Sequence, residues 1–363
     1  MLKEKKMLNE TSEDALHLRL KKRRNRYTSV VGVLFLRTLF KGKISIRKLF
    51  NVMWCTVAYI LKLKRSAPSP FILSLELGNE CNANCLFCRD EKGRIYNINP
   101  QAQGFASKGK MPLDMAVDLV EQLKKDVLIV VLYTNGEPLL YKDLPTIIQS
   151  STDRKVATMI ATNGLLLTKD NIRAMLEAGL DFIKVQLSGY TQDTYSTQIR
   201  HGDVEKLKEN IRLLARINED GGYNAVIVVD YILYSYNKHQ LGLVREFCKE
   251  LGVLLNVRPG NPKGGLEDKE PVLNIEPLPL KISCDWLWKG MQVNWNGEIL
   301  QCCDGVVWNN IKPFATFQAG KTNIKEVWNG SKAIQIRELM RTKGRAGMPI
   351  CAQCTRKGVA FKW

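Results

Sequence analysis

The stretch Phe71-Ile72-Leu73-Ser74-Leu75-Glu76-Leu77 runs through Gly78, Asn79 and Glu80 straight into Cys81-Asn82-Ala83-Asn84-Cys85-Leu86-Phe87-Cys88. Its first part alternates and reads as a strand, and its second part sets three thiols within eight residues on the loop that follows. Three sulfurs do not complete a structural zinc site, which takes four protein ligands, and a catalytic zinc rarely takes three thiolates. They do suit three irons of a 4Fe-4S cubane whose fourth iron stays open to an exogenous ligand, a site built for chemistry rather than storage. Spacing alone leaves two alternatives, a chance cysteine cluster and a zinc knuckle completed by a distant residue.

Downstream the pattern becomes regular. Pro112 with Asp114 opens a helix through Lys125, Val127 to Tyr133 reads as strand, Leu144 to Ser151 as helix and Val156 to Ala161 as strand. Thr168 caps a helix over Ile172 to Ala178, Phe182 to Leu187 is strand, Val204 to Arg216 helix and Val226 to Leu233 strand, before a last helix at His239 to Leu251 and a strand at Leu254 to Val257. Six strands alternating with helices predict parallel βαβ units with right-handed crossovers. The expected fold class is α/β, a partial (β/α)6 TIM-like barrel over residues 69–265. A Pro- and Gly-rich linker over 266–281 leads to a small Cys-rich β-hairpin and helix domain over 282–363.

The chain has 363 residues, 45% of them hydrophobic and 25% charged, which excludes a disordered chain and a stapled mini-protein. No apolar run reaches the ~20 residues of a membrane-spanning helix. The longest uncharged stretch near the N-terminus, Leu49 to Leu61, also lacks a cleavage site. A cytoplasmic location is expected, where ten cysteines are read first as metal ligands. Residues 1–68 hold 17 Lys and Arg against four Asp and Glu, so this segment carries +13 of the net +18. After the run Lys21-Lys22-Arg23-Arg24-Asn25-Arg26, an apolar stripe at helical spacing (Ile46, Leu49, Phe50, Met53, Val57, Ile60, Leu61) predicts a basic amphipathic helix. Such a helix could pack on the main domain with its charges solvated, lie peripherally on an anionic membrane, or follow a nucleic-acid backbone.

The cysteine loop, with Phe87 before its last cysteine, resembles that of the radical S-adenosylmethionine (SAM) superfamily. The resemblance implies a 4Fe-4S cluster on Cys81, Cys85 and Cys88 whose open iron is chelated by the SAM amino and carboxylate groups. An electron from that cluster would split the sulfonium to a 5′-deoxyadenosyl radical. Further matches fall in order at successive strand ends, the face where barrel chemistry gathers. Asn135-Gly136-Glu137-Pro138 resembles the family's Gly-Gly-Glu-Pro segment, which lines the SAM amino group, with Asn135 in place of the first glycine. Thr162-Asn163-Gly164 follows the third strand. Gln186-Leu187-Ser188-Gly189 stands where the family has Ser-Ile-Asp-Gly against the SAM ribose or carboxylate, with Ser188 replacing the acid. Arg200 fits the basic residue that meets the SAM carboxylate, and Val257-Arg258-Pro259 would pass near the adenine.

Five of the ten cysteines lie beyond residue 282. Cys284, Cys302, Cys351 and Cys354 make a set that zinc or an iron-sulfur cluster could use. Beside a radical SAM core, the set resembles the Twitch domain, a shortened relative of the SPASM domain that holds one auxiliary 4Fe-4S cluster. Its hairpin is expected as Gln292 to Trp295, a type I′ turn at Asn296-Gly297, and Glu298 to Cys302. Cys302 and Cys303 point to opposite faces of a strand, and the glycine spacing favours Cys302 as ligand. Cys303 is then a packed thiol, an alternate ligand or a hydrogen-atom donor to a substrate radical. Cys55 and Cys248 fit helical apolar patterns as buried thiols.

A cluster saturated by four cysteines has no iron free for substrate, which implies electron transfer. The resemblance therefore implies a SAM-dependent oxidoreductase acting on an alcohol of a sugar, cyclitol or lipid-linked small molecule. The auxiliary cluster would accept the electron, and a flavodoxin- or ferredoxin-type donor would supply low-potential electrons to the core cluster. Peptide maturation, radical epimerisation, nucleic-acid modification and a non-enzymatic zinc-bearing adaptor are the alternatives. Lys184, Tyr231 and Arg258 lie near strand ends, but nothing in the sequence marks one of them as the base.

Overall fold

In the computed structural model of the chain, the residues described are 36–86, 88–89, 108–260, 283–300, 302, 313–352 and 354. Six parallel strands form the centre: β1 (Ile72–Leu75), β2 (Ile129–Val131), β3 (Ala157–Thr162), β4 (Phe182–Gln186), β5 (Val226–Leu233) and β6 (Leu254–Pro259). Helix α1 (Ile46–Ile60) precedes them, and α2 (Leu113–Leu123), α3 (Leu144–Asp153), α4 (Lys169–Glu177), α5 (Gln192–Ser196), α6 (Val204–Asp220) and α7 (Leu241–Glu250) connect them. The expected boundaries hold within a few residues, and β5 matches at both ends. Thr168 caps α4 as expected: its hydroxyl accepts from the Asn171 N–H at 3.3 Å while the Asn171 side chain accepts from the Thr168 N–H at 2.9 Å. The five-residue α5 was not legible in the periodicity.

The pleat divides the sheet into two faces. Outward-facing Leu73, Val130, Val185 and Val229 join Leu119, Ile147, Ile172, Ile211 and Val244 of the helices in the main core. Inward, Ile72, Ile129, Ala157, Phe182 and Val228 form an apolar floor at the strand starts. Strand order is β6-β5-β4-β3-β2-β1-β7-β8-β9, so the C-terminal part continues the same sheet. There β7 (Gly290–Val293) lies parallel to β1, and β8 (Glu298–Leu300) and β9 (Ala315–Thr316) return antiparallel.

The hairpin turn differs from the expected two-residue type I′ form. Val293 pairs with Ile299, the Asn294 N–H donates to Glu298 O at 2.9 Å, and the Gly297 N–H donates to Asn294 O at 2.9 Å. This is a three-residue turn closed by a bulge. Type I′ needs positive φ at both central residues, and here Gly297 (φ 84°) has it while Asn296 does not. A Cβ on Gly297 would also meet Phe317 O at 2.4 Å. Helix α8 (Trp286–Lys289) leads into β7, and beyond the hairpin follow α9 (Ile324–Trp328), α10 (Ser331–Lys343) and α11 (Pro349–Ala352). Arg337, 1% exposed, ties them by donating to Leu287 O, Trp328 O and Asn329 Oδ1.

Helix α1 forms where the stripe predicts it, but it sits the other way round. Lys48 and Asn51 on its polar side are buried: Lys48 donates to the carbonyls of Lys43 and Lys155 and Asn51 to those of Ser69 and Asp126, while the exposed Arg47 pairs with Asp126 at 2.6 Å. Just before it, Lys43 pairs with Asp181 at 2.6 Å, and Arg37 donates to Asn224 O. Ser69, Asp126, Lys155, Asp181 and Asn224 are the residues just ahead of β1 to β5, so the segment plugs the floor of the barrel. Carbonyls left free at strand starts are strong acceptors, and they draw the ammonium groups inward. The segment thus packs on the main domain as one reading expected, with Arg37, Lys41, Arg47, Lys64 and Arg65 exposed, but Lys43 and Lys48 are buried rather than solvated. Residues 1–35 and 261–282, with the run at Lys21 and the expected linker, lie outside the described residues.

Candidate radical-generating site and auxiliary cysteine pocket

The cysteine loop follows β1 at the mouth of the barrel and is held by main-chain bonds. Cys85 bridges to Ile199, the Leu86 N–H donates to Gln198 O at 2.9 Å, and the His201 N–H to Ala83 O at 3.2 Å. Arg200, within that clamp, donates to Arg89 O at 3.2 Å. Asn163 Nδ2 lies 3.8 Å from Cys81 Sγ and 2.8 Å from Asn82 Oδ1. Cys88 is pushed up to about 11 by burial and then by Cys81, and burial, followed by Cys88 and Cys81, also raises Cys85. The three thiols therefore feel one another's charge, and a cation would relieve it. Among the described residues no three His, Cys, Asp or Glu side chains converge on a single ion. A cubane needs no such convergence, because each thiolate takes its own corner iron. Cys81, Cys85 and Cys88 fit that group; Phe87 lies outside the described residues.

Gly136 explains its own identity. A Cβ there would sit 2.0 Å from Gly78 O and 3.0 Å from Glu80 O, so only glycine lets this loop lie against the cysteine loop. The Glu137 N–H donates to Glu80 O at 2.8 Å. Its carboxylate accepts from Thr162 Oγ1 at 2.7 Å and from the N–H groups of Asn163 and Leu139, so it positions the loop that brings Asn163 to Cys81. Asn135 donates to Glu76 Oε1 at 3.0 Å. Ser188 is fully buried, and its hydroxyl accepts from Gln186 at 3.2 Å. Val257 turns its side chain into the helix-facing core.

Sequence reasoning placed Lys184 and Arg258 near strand ends but missed Arg89 and the rest of a polar lining. Arg89, 7% exposed, donates to Asn79 O at 2.8 Å and Asn135 O at 3.2 Å, locking the first and second strand-end loops together. Above the apolar floor, the inward face of the sheet turns polar with Glu76 on β1's extension, Lys184 and Gln186 on β4, Asp230 on β5, Asn256 and Arg258 on β6, and Gln292 on β7. These residues fall on the same side of the pleat as the floor residues two or four places before them, which is the signal that could have found them. Arg258 lies 2.9 Å from Asp230, Lys184 3.8 Å, and Asn256 Nδ2 donates to Asp230 Oδ1 at 2.5 Å. Burial alone would raise the Asp230 carboxyl, but Arg258 and Lys184 outweigh it and hold it below the usual range. Tyr231 points the other way, its hydroxyl donating to Asn237 O at 2.7 Å.

Glu76 is fully buried, and its Oε2 has no hydrogen-bond partner among the described residues. Burial pushes its carboxyl from 4.5 up to about 7, against the bond from Asn135. A raised folded-state value means stability that is present below pH 4.5 and lost as pH rises to about 7. Glu76→Gln is expected to remove that loss, up to about 3 kcal/mol at pH 8. Urea melts at pH 5 and pH 8 check it: an unchanged difference between the two would show that Glu76 does not titrate in this range.

The C-terminal cysteines gather at the floor end, not the mouth. Cys284, Cys302 and Cys351 share one cluster with Leu287, Trp288, Met340 and Met348, which Ala58, Tyr59 and Leu63 complete. The Cys354 N–H donates to Cys351 O at 3.2 Å, placing the fourth thiol on the same turn. Burial raises Cys284 to about 12, with Cys351 adding to it, so these thiols too suit a cationic cluster. Cys303 lies outside the described residues. Cys55 and Cys248 are buried thiols away from both sets, at 0% and 2% exposure.

A model of the radical SAM superfamily matches residues 75–241, and a model of SPASM, the iron-sulfur cluster-binding domain, matches residues 284–355. The chain is 26% identical over 190 residues to a probable GTP 3′,8-cyclase of Methanocaldococcus jannaschii, covering 51% of this chain and 57% of that protein. A GTP 3′,8-cyclase of Lactiplantibacillus plantarum is 27% identical over 146 residues, 40% of this chain and 41% of its own. The chain thus spans about half the length of the curated relatives it matches. Among solved structures, Streptococcus suis SuiB bound to precursor peptide SuiA superposes with a TM-score of 0.59 at 14% identity, covering 84% of this chain and 75% of that one. BtrN in complex with AdoMet and 2-DOIA gives 0.51 at 17% identity, covering 79% and 94%. These structures share the fold.

Proposed function

This chain belongs to the radical SAM superfamily and ends in an iron-sulfur cluster-binding domain of the SPASM type, and from that premise we propose that it oxidises an alcohol of a sugar, cyclitol or lipid-linked small molecule. When bound, the core cluster and SAM supply a 5′-deoxyadenosyl radical. What the chain adds is the polar cup above the floor, and this observation carries the reading. Asp230, Lys184, Arg258, Asn256 and Gln292 offer charged and amide groups to a polyhydroxylated substrate above an apolar floor. Asn135, Gly136, Ser188, Arg200 and the Val257 main chain are proposed to border SAM, and Glu137 to position the loop beside it. Cys284, Cys302, Cys351 and Cys354 are proposed to hold a saturated auxiliary 4Fe-4S cluster that takes up the substrate's electron. A flavodoxin- or ferredoxin-type donor is proposed to reduce the core cluster. We also propose peripheral contact of residues 1–68 with an anionic membrane; no described helix is long and apolar enough to cross one.

The relatives' name, GTP 3′,8-cyclase, is not that of an alcohol oxidase, so one experiment should carry both chemistries. Anaerobic single-turnover reactions with SAM, dithionite and a panel of cyclitols, sugars and GTP are followed for 5′-deoxyadenosine and product mass. The proposal expects a product two mass units lighter than an alcohol substrate, about one per 5′-deoxyadenosine, and none from a Cys284→Ser, Cys351→Ser variant that still cleaves SAM. An isomeric product formed from GTP would move the assignment to the cyclases.

A further inference from the structure

Of the eleven large apolar side chains exposed among the described residues, ten sit on residues 36–40 and the helix that plugs the floor, or one residue past its end. Phe40 is 85% exposed, Ile46 70%, Phe50 58% and Trp54 50%. Soluble monomers seldom leave so much apolar surface together without a use for it. The burial of the opposite, polar side at the strand starts fixes the helix in this orientation, so its apolar side cannot roll inward without stripping Lys48 and Asn51 of their carbonyl partners.

Charge selects what covers this face. Between residues 36 and 68 the chain carries eight Lys and Arg and no Asp or Glu. The preceding 35 residues add nine cations against four acids. Two copies meeting through this face would press like charges together, and the chain's own N-terminal residues would fold a cationic arm onto a cationic rim. An apolar face rimmed by cations matches the acyl boundary and headgroups of an anionic bilayer.

We infer that residues 36–40 and α1 dock the protein, floor down, on an anionic phospholipid surface, with the mouth of the barrel turned away from the lipid. This rests on the peripheral contact proposed for residues 1–68 and gives that contact a face and an orientation. The test is co-sedimentation of the full chain with vesicles of phosphatidylglycerol and phosphatidylcholine, and with phosphatidylcholine alone. Wild type is expected to pellet with the anionic vesicles, while Phe50→Glu, Trp54→Glu loses about tenfold or more of that affinity with its SAM cleavage and melting temperature unchanged. A Lys21→Gln, Lys22→Gln, Arg23→Gln, Arg24→Gln variant is expected to keep most of the binding. If the arm variant fails to pellet and the Phe50, Trp54 variant pellets like wild type, the docking face is wrong and the peripheral contact survives through the arm. If wild type does not pellet, both fall. If light scattering instead finds a wild-type dimer that Phe50→Glu, Trp54→Glu splits without any vesicle binding, a second copy covers the face and the inference is overturned.

Discussion

Replacing Cys81, Cys85 and Cys88 together by alanine is expected to lower iron from about eight to about four per chain after anaerobic reconstitution, and to abolish 5′-deoxyadenosine formation. The two thiol sets lie at opposite ends of the barrel, one after β1 and one in the pocket with Trp288, so losing the first leaves the second its own packing and ligands. Cys55 and Cys248 serve as controls, since each is a buried thiol assigned to neither set and its alanine variant should keep all its iron. The measurement is iron, sulfide and zinc per chain, with SAM cleavage alongside. Zinc without iron in the triple variant would make the C-terminal site structural and end the electron-acceptor role, while the core assignment would stand.

Gly136→Ala is expected to weaken SAM binding by about tenfold or more, equivalent to about 1.4 kcal/mol, and to destabilise the fold by about 1–3 kcal/mol. The added carbon would meet main-chain atoms of Gly78 and Glu80, which cannot swing aside as a flexible side chain could. Relief requires the Asn135 to Glu137 loop to lift from the cysteine loop. That would lengthen the bonds from Arg89 to Asn135 O and from the Glu137 N–H to Glu80 O, which hold the two together. Asn135→Gly is the matched control: it loses one bond to Glu76 but keeps the close approach, and it should bind SAM within a few-fold of wild type. Equilibrium dialysis of SAM against the reconstituted variants checks both. Equal affinities for the two would show that the close approach does not shape the SAM site.

Much of the sheet and the order of its loops could be read from the chain, because a strand packed on both faces must be apolar almost throughout and its breaks then mark the ends. The thiols and Gly136 were legible for a related reason, since few residues can replace a cysteine ligand or a glycine at close approach. What escaped was direction. An apolar stripe identifies the two sides of a helix without saying which one the domain will cover, and α1 is held instead by carbonyls that come together only once β1, β2 and β3 stand side by side. The turn at Gly297 was misread because Asn-Gly fits more than one hairpin, and the choice is made by the Asn294 to Glu298 bond. At β6 the pleat turns the Val257 side chain into the core and the Arg258 side chain to the inward face, which the sequence alone did not distinguish.

The placement of the two cysteine sets gives the molecule a top and a bottom with different traffic. The cysteine loop follows the end of β1, whereas the thiols beside Ala58 and Tyr59 lie at the end where the strands begin. Matter and charge therefore leave by different exits. In the proposed reaction SAM, substrate, 5′-deoxyadenosine and product would exchange through the mouth. In the proposed reaction an electron taken up at the lower thiols would sit next to the helix whose outer side is apolar, away from the cysteine loop at the top. Entry and exit of electrons at opposite poles would keep the strong reductant that starts each cycle from being short-circuited by the oxidant that ends it.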